Sequence, residues 1–148
     1  MDFGVLLGQA YQAFVQELHA RLAERGHRMM GASYGYVLRS LAENALTASQ
    51  LGERLGITAQ GAAKVVDEMV KSGYVERRAD PADKRAKLLH LSDRGRDMLD
   101  TVREFHADYE RRLIARVGTD QVAVVRAVLD EIVSTTADSD AARAFRPL

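Results

Sequence analysis

Residues 47–99 read TASQLGERLGITAQGAAKVVDEMVKSGYVERRADPADKRAKLLHLSDRGRDML, and local chain chemistry divides this stretch into parts. Thr47-Ala-Ser-Gln50 has the form of a capping box, in which the Thr hydroxyl and the Gln side chain each satisfy an orphan N–H at a helix start. The helix it opens holds Leu51 and Leu55 and stops at Gly56. Thr58 restarts the chain as the N-cap of a second helix through Val65, Val66, Met69 and Val70, which ends at Ser72-Gly73. Two helices joined by a short Gly-containing turn make a helix-turn-helix pattern. Two β-like runs follow, Tyr74–Arg78 and Lys87–Leu91. The intervening Ala79-Asp-Pro-Ala-Asp-Lys-Arg-Ala86 is rich in turn formers and charge, so the pair predicts a hairpin with a long, basic, exposed tip.

Helical periodicity extends this unit in both directions. Upstream, Leu7, Tyr11, Phe14, Leu18 and Leu22 form one stripe that ends near Arg25-Gly26, and Tyr34, Val37, Leu38 and Leu41 predict a shorter helix. Downstream, Ser92 caps a long helix with Met98, Val102, Phe105, Tyr109, Leu113 and Val117 on one face. Gly118 ends it, and Thr119 starts another helix with Val122, Val125, Val128, Leu129 and Ile132 directed inward. The tail 134–144 is small and polar, with Phe145 as its expected anchor. The expected fold is mainly α with a small β-hairpin wing: a winged helix-turn-helix at 32–92, embedded between dimerisation helices at 1–28 and 93–148.

Composition narrows the function. The 148 residues are 47% hydrophobic and 28% charged, ordinary for a globular chain. Basic and acidic residues balance at 21 each, but from Lys64 to Arg96 nine basic side chains meet six acidic ones, which places any anion-binding surface centrally. Without cysteine there is no disulfide, thiolate metal site or cysteine nucleophile. Dinucleotide, P-loop, zinc-protease and nucleophile-elbow motifs are missing, so no enzyme activity and no cofactor are expected. His19, His27, His90 and His106 make no i, i+4 ligand pair; each is expected as a solvated or edge histidine, with no metal site. No apolar run approaches a membrane span, and the start MDFGVLLGQAYQ lacks a basic signal region, which leads us to expect a cytoplasmic chain without a membrane partner.

The central pattern suits double-stranded DNA. A helix fits the major groove, where base edges display a distinguishable hydrogen-bonding code. Entry by the N-terminus places Thr58, Ala59, Gln60 and Gly61 nearest the bases. Gln60 is the long hydrogen-bonding side chain at that tip and can pair with adenine. The small residues Ala59, Gly61, Ala62 and Ala63 permit close approach, and Lys64 is placed for a phosphate. The hairpin tip, with Asp83, Lys84 and Arg85 followed by Lys87, suits a neighbouring minor groove, whose negative potential attracts an inserted Arg. Asp83, two residues before Arg85, is expected to hold the guanidinium extended.

Residues 47–99 resemble the winged-helix core of the MarR (multiple antibiotic resistance) transcriptional regulators, most strongly through SGYVERRADPADKRAKLLHLSDRG, which is similar to that family's G-[LY]-[VI]-x-R, D-x-R wing and L-[ST]-x-x-G signature. The resemblance implies an obligate homodimer with intertwined terminal helices on a pseudo-palindromic operator. It makes Arg85 the wing-tip arginine, Asp83 its orienting partner, and 58–64 the start of the recognition helix. Gly61 and Ala63 depart from the Ser or Thr common in the family, and Lys84 from Arg. Many members release DNA on binding a small aromatic ligand where dimer helices meet the winged domain; Phe14, Leu18, Tyr34 and Phe105 are the corresponding candidates here. The absent cysteines exclude the family's thiol peroxide sensors.

A dimer is also expected on physical grounds, because one winged helix reads only a few base pairs, and two on a twofold axis read spaced half-sites. The apolar stripes exceed what one small winged domain needs to cover. The expectation is a homodimeric DNA-binding repressor. Its rival is a winged-helix module that binds protein partners and has lost DNA recognition, which the missing hydroxyls at Gly61 and Ala63 would favour.

Overall fold

The structure is a computed structural model that describes residues 1–28, 31 and 33–136. The elements run α1 (Phe3–Glu24), α2 (Ser33–Glu43), α3 (Ala48–Leu55), α4 (Ala59–Lys71), β1 (Val75–Ala79), β2 (Lys87–Leu91), α5 (Asp93–Val117) and α6 (Thr119–Thr136). Phe145 and the tail from 137 lie outside the described residues.

The helix boundaries follow the capping chemistry. The Gln50 N–H donates to the Thr47 hydroxyl at 3.2 Å while the Thr47 N–H donates to the Gln50 side chain at 2.9 Å, completing the capping box. Gly56 closes α3 at φ 66°, a left-handed conformation that Gly adopts without penalty. The Thr58 and Ser92 hydroxyls cap α4 and α5 by accepting from Gly61 N and Gly95 N, each at 3.0 Å. β1 and β2 pair antiparallel from Val75↔Leu91 to Ala79↔Lys87, with β1 starting one residue later than the sequence suggested. Leu46, between α2 and α3, adds an isolated bridge to Leu89, and the Leu89 N–H donates to its carbonyl at 2.7 Å. Sequence periodicity could not reveal that contact, since a single residue has no alternation.

The core joins all parts of the winged unit. Leu38 from α2, Leu51 from α3, Val66 and Met69 from α4, Leu89 from β2, and Met98 and Phe105 from α5 are buried together with Leu22 of α1. The wing meets α5 at a close backbone contact. Ser92 N donates to the Tyr74 carbonyl at 3.1 Å, and the Ser92 hydroxyl donates to the Gly73 carbonyl at 2.5 Å. A Cβ built on Gly95 would lie 2.1 Å from that same Tyr74 oxygen. Residue 95 must therefore lack a side chain.

Two expectations need correction. His27 is neither solvated nor at an edge: it is buried, with Nε2 2.6 Å from Asp97 Oδ2. Arg94 donates to the Gly26 carbonyl at 2.9 Å and covers the Tyr74 ring at 4.8 Å, so the turn after α1 is fastened to both α5 and the wing root. Among the described residues the α6 stripe is not inward. Val125, Val128, Leu129 and Ile132 are exposed, as are Leu113 and Val117 of α5 and Leu7 and Tyr11 of α1. The reason is geometric, because α6 packs on the C-terminal half of α5, beyond the reach of the winged core.

Replacing Gly95 with Ala should lower folding stability by about 2–3 kcal/mol through forced displacement of the wing root, measurable as a lower urea midpoint. An unchanged midpoint would mean that the Tyr74–Gly95 approach is not a constraint.

Candidate nucleic-acid interface

The 3.6-residue period of α4 divides its residues between two faces. Ala62, Val66 and Met69 turn inward, while Thr58, Gln60, Gly61, Ala63, Lys64, Asp67, Glu68 and Lys71 line one open groove of about 700 Å³. Ala59 is exposed beside them. Gln60 and Lys64, four residues apart, thus share the outer face, and all five sequence-selected residues of this helix start are accessible or partly so.

The wing tip is closed by its own backbone and by two carboxylates. Asp80 N donates to the Ala86 carbonyl at 3.2 Å, and Ala86 N donates to the Asp83 carbonyl at 3.0 Å. The Asp80 side chain accepts from Ala82 N, and the Asp83 side chain accepts from Arg85 N, both at 2.9 Å. Asp83 therefore engages the main chain of Arg85, and no ion pair between the two side chains occurs among the described residues. The short Asp side chain reaches a backbone N–H two residues on more readily than the end of a long guanidinium. What Asp83 fixes is the loop, in which Arg85 is exposed.

The distribution of ion pairs sets this region apart. Arg112 pairs with Glu17, Arg126 with Glu110, Arg25 with Glu104, and Arg78 with Glu76. Among the described residues, Lys64, Lys84, Arg85 and Lys87 have no acidic partner within 4 Å. The α4 cation and the wing cations are thus available to an external anion. One contact here was not anticipated from sequence: Arg77 of β1 is bonded to Asp67 of α4. The only sequence signal for it was the Arg of the G-[LY]-[VI]-x-R motif, whose partner cannot be read from spacing.

The four candidates for a ligand pocket do not line one space. Leu18, Tyr34 and Phe105 are buried in the core, whereas Phe14 reaches a cavity of about 550 Å³ whose lining includes Arg39, His106, Tyr109, Leu113 and Val125. Phe14 packs edge-on to Phe105 and Tyr109, with ring centroids 5.3 and 4.9 Å away. Partial desolvation, and then the Arg39 charge, hold the His106 imidazole below its ordinary pKa. Among the described residues no cluster of His, Asp and Glu could hold a metal ion, and no helix is long and apolar enough to cross a membrane.

Comparison with known proteins gives concordant results. Residues 30–86 match the model of the MarR family. An uncharacterized HTH-type transcriptional regulator of Bacillus subtilis, YkoM, is 32% identical over 72 residues, covering 49% of this chain and 47% of that protein. The chain thus spans about half the length of that curated relative. The crystal structure of YusO from Bacillus subtilis superposes with a TM-score of 0.68 at 17% identity, covering 90% of this chain and 93% of that one. The transcriptional repressor CouR, solved on a 23-mer DNA duplex, gives 0.67 at 24% identity over 88% and 92% of the two chains. The segment that matches the MarR family model holds the helix-turn-helix and the wing tip, and the described residues share the winged-helix fold of these structures.

Proposed function

We propose that the chain is a cytoplasmic, homodimeric, sequence-specific double-stranded DNA-binding regulator that represses transcription from a pseudo-palindromic operator. The observation that carries this reading is the set of unpaired cations on α4 and the wing, in a surface whose other arginines are largely neutralised. Unpaired Lys and Arg can neutralise phosphates and release counterions. Residues 32–92 bind the duplex: Thr58, Ala59, Gln60 and Gly61 approach base edges, Lys64 holds a phosphate, and Arg85 enters the adjacent minor groove with Lys84 and Lys87 on its flanks. CouR, solved on a 23-mer DNA duplex, supports the same use of a similar fold.

Residues 1–28 and 93–148 supply the dimer contact. The exposed Phe3 and Leu6 of α1 and Val128 and Leu129 of α6 are large apolar side chains on elements that the chain's own core leaves uncovered. A second copy would bury them. A small aromatic ligand in the cavity beside Phe14 and Tyr109 would release the operator, because that space lies between α1, α2, α5 and α6 and connects the dimer helices to the winged unit.

Selection from a random DNA pool should return a twofold-related motif, and its affinity should fall with salt at a slope of roughly −0.9 per phosphate neutralised. On that duplex Arg85→Ala should cost about 1–3 kcal/mol, and Lys64→Ala should flatten the salt slope by about one unit without changing sequence preference. Gln60→Ala should relax the selected motif at one position per half-site; an unaltered motif would remove Gln60 from base reading. Leu129→Glu should shift the chain to monomers in sedimentation while preserving its helical circular dichroism, and a dimer that persists would place the interface elsewhere.

A further inference from the structure

Asp67 lies on the outer face of α4, one turn beyond Lys64, in the same groove as Gln60. A helix laid in the major groove brings that face between two rows of phosphates. A free carboxylate there would be repelled by them. Strand alternation supplies a remedy: Arg77 stands two residues from the buried Val75, opposite Leu89, and so on the side of β1 that faces the core and α4. Its guanidinium reaches across and bonds the Asp67 carboxylate. Both side chains remain accessible, at 38% and 56% exposure. An ion pair so exposed contributes little to folding stability, which directs attention to its effect at the surface.

We propose that Arg77 is a positioning residue for DNA binding, which screens the Asp67 carboxylate from the phosphates and holds the recognition helix against the wing without itself touching the duplex. This rests on the DNA-binding reading above. It also explains how a helix carrying Lys64, Asp67, Glu68 and Lys71 in one groove can approach a polyanion: the acidic residue nearest the tip is already neutralised from the neighbouring strand.

The full-length chain and the variants Arg77→Gln, Asp67→Asn and the double substitution are to be compared on a duplex selected by the unaltered protein. Arg77→Gln should weaken binding roughly ten- to a hundredfold, because it leaves the carboxylate unscreened. The double variant should return to within about threefold of the starting affinity, since the repelling charge is gone. Asp67→Asn alone should bind at least as tightly as the unaltered chain, with a salt slope steeper by about one unit, as Arg77 becomes free to attract phosphate. Thermal midpoints of all three should stay within about 3 °C, which separates the effect from loss of fold. Three results would overturn the proposal: equal losses in Arg77→Gln and the double variant, which would make Arg77 a direct DNA contact; a loss in Asp67→Asn as large as that in Arg77→Gln; or unaltered binding by Arg77→Gln. If the unaltered chain shows no salt-dependent binding to any selected duplex, the DNA-binding reading itself fails and this proposal with it.

Discussion

The arrangement of the winged unit depends on the contact of the Tyr74 carbonyl with the first turn of α5. That oxygen accepts from Ser92 N and lies where a side chain at position 95 would have to be. Because Ser92 also caps α5 and bonds the Gly73 carbonyl, three short-range constraints converge on the residue that joins α4 to the wing. The directions of α4, the hairpin and α5 are therefore set together. A shift of any one would break a buried backbone hydrogen bond, which is costly when no water can replace it. The His27–Asp97 contact and the Arg94 bonds extend this joint to the turn after α1.

Beyond the joint, the molecule divides into satisfied and unsatisfied surface. Around the winged core apolar side chains are enclosed, and Arg21 of α1, Arg112 of α5 and Arg126 of α6 are matched with carboxylates. At two places the chain leaves its chemistry open: the cations of the α4 face and wing tip, and the apolar side chains along α1 and α6. These are the places where a single copy without ligand is physically incomplete, and the proposed DNA and dimer contacts occupy them. The wing tip is also built before any ligand arrives, since Asp80 and Asp83 are engaged by backbone N–H groups. Such preorganisation reduces the ordering cost of binding.

Much of this was legible from local chemistry. Capping residues and terminal glycines act within one turn, so Thr47, Gly56, Thr58 and Ser92 marked true boundaries. The hairpin was bounded by its turn formers to within a residue. Interactions of distant residues were less legible. Asp83 was read as a partner for a guanidinium and instead accepts from a main-chain N–H. His27 carried no periodic signal because it follows the end of α1, yet it is buried against Asp97, 70 residues away. Of the candidate pocket set, Phe14 reaches the cavity while Leu18, Tyr34 and Phe105 fill the core; helical spacing identifies a common face but not what covers it.

The sequence by itself determined the element order, the caps, and the membership of Gln60 and Lys64 in one helix face and of Arg85 in an exposed turn, because each follows from chain geometry over a few residues. Only the tertiary structure decided that Arg77 meets Asp67, that Leu46 bridges Leu89, and that the α6 stripe stays exposed among the described residues. Those outcomes depend on how separate elements are placed in space, and that placement follows from packing against the shared core, which no local pattern encodes.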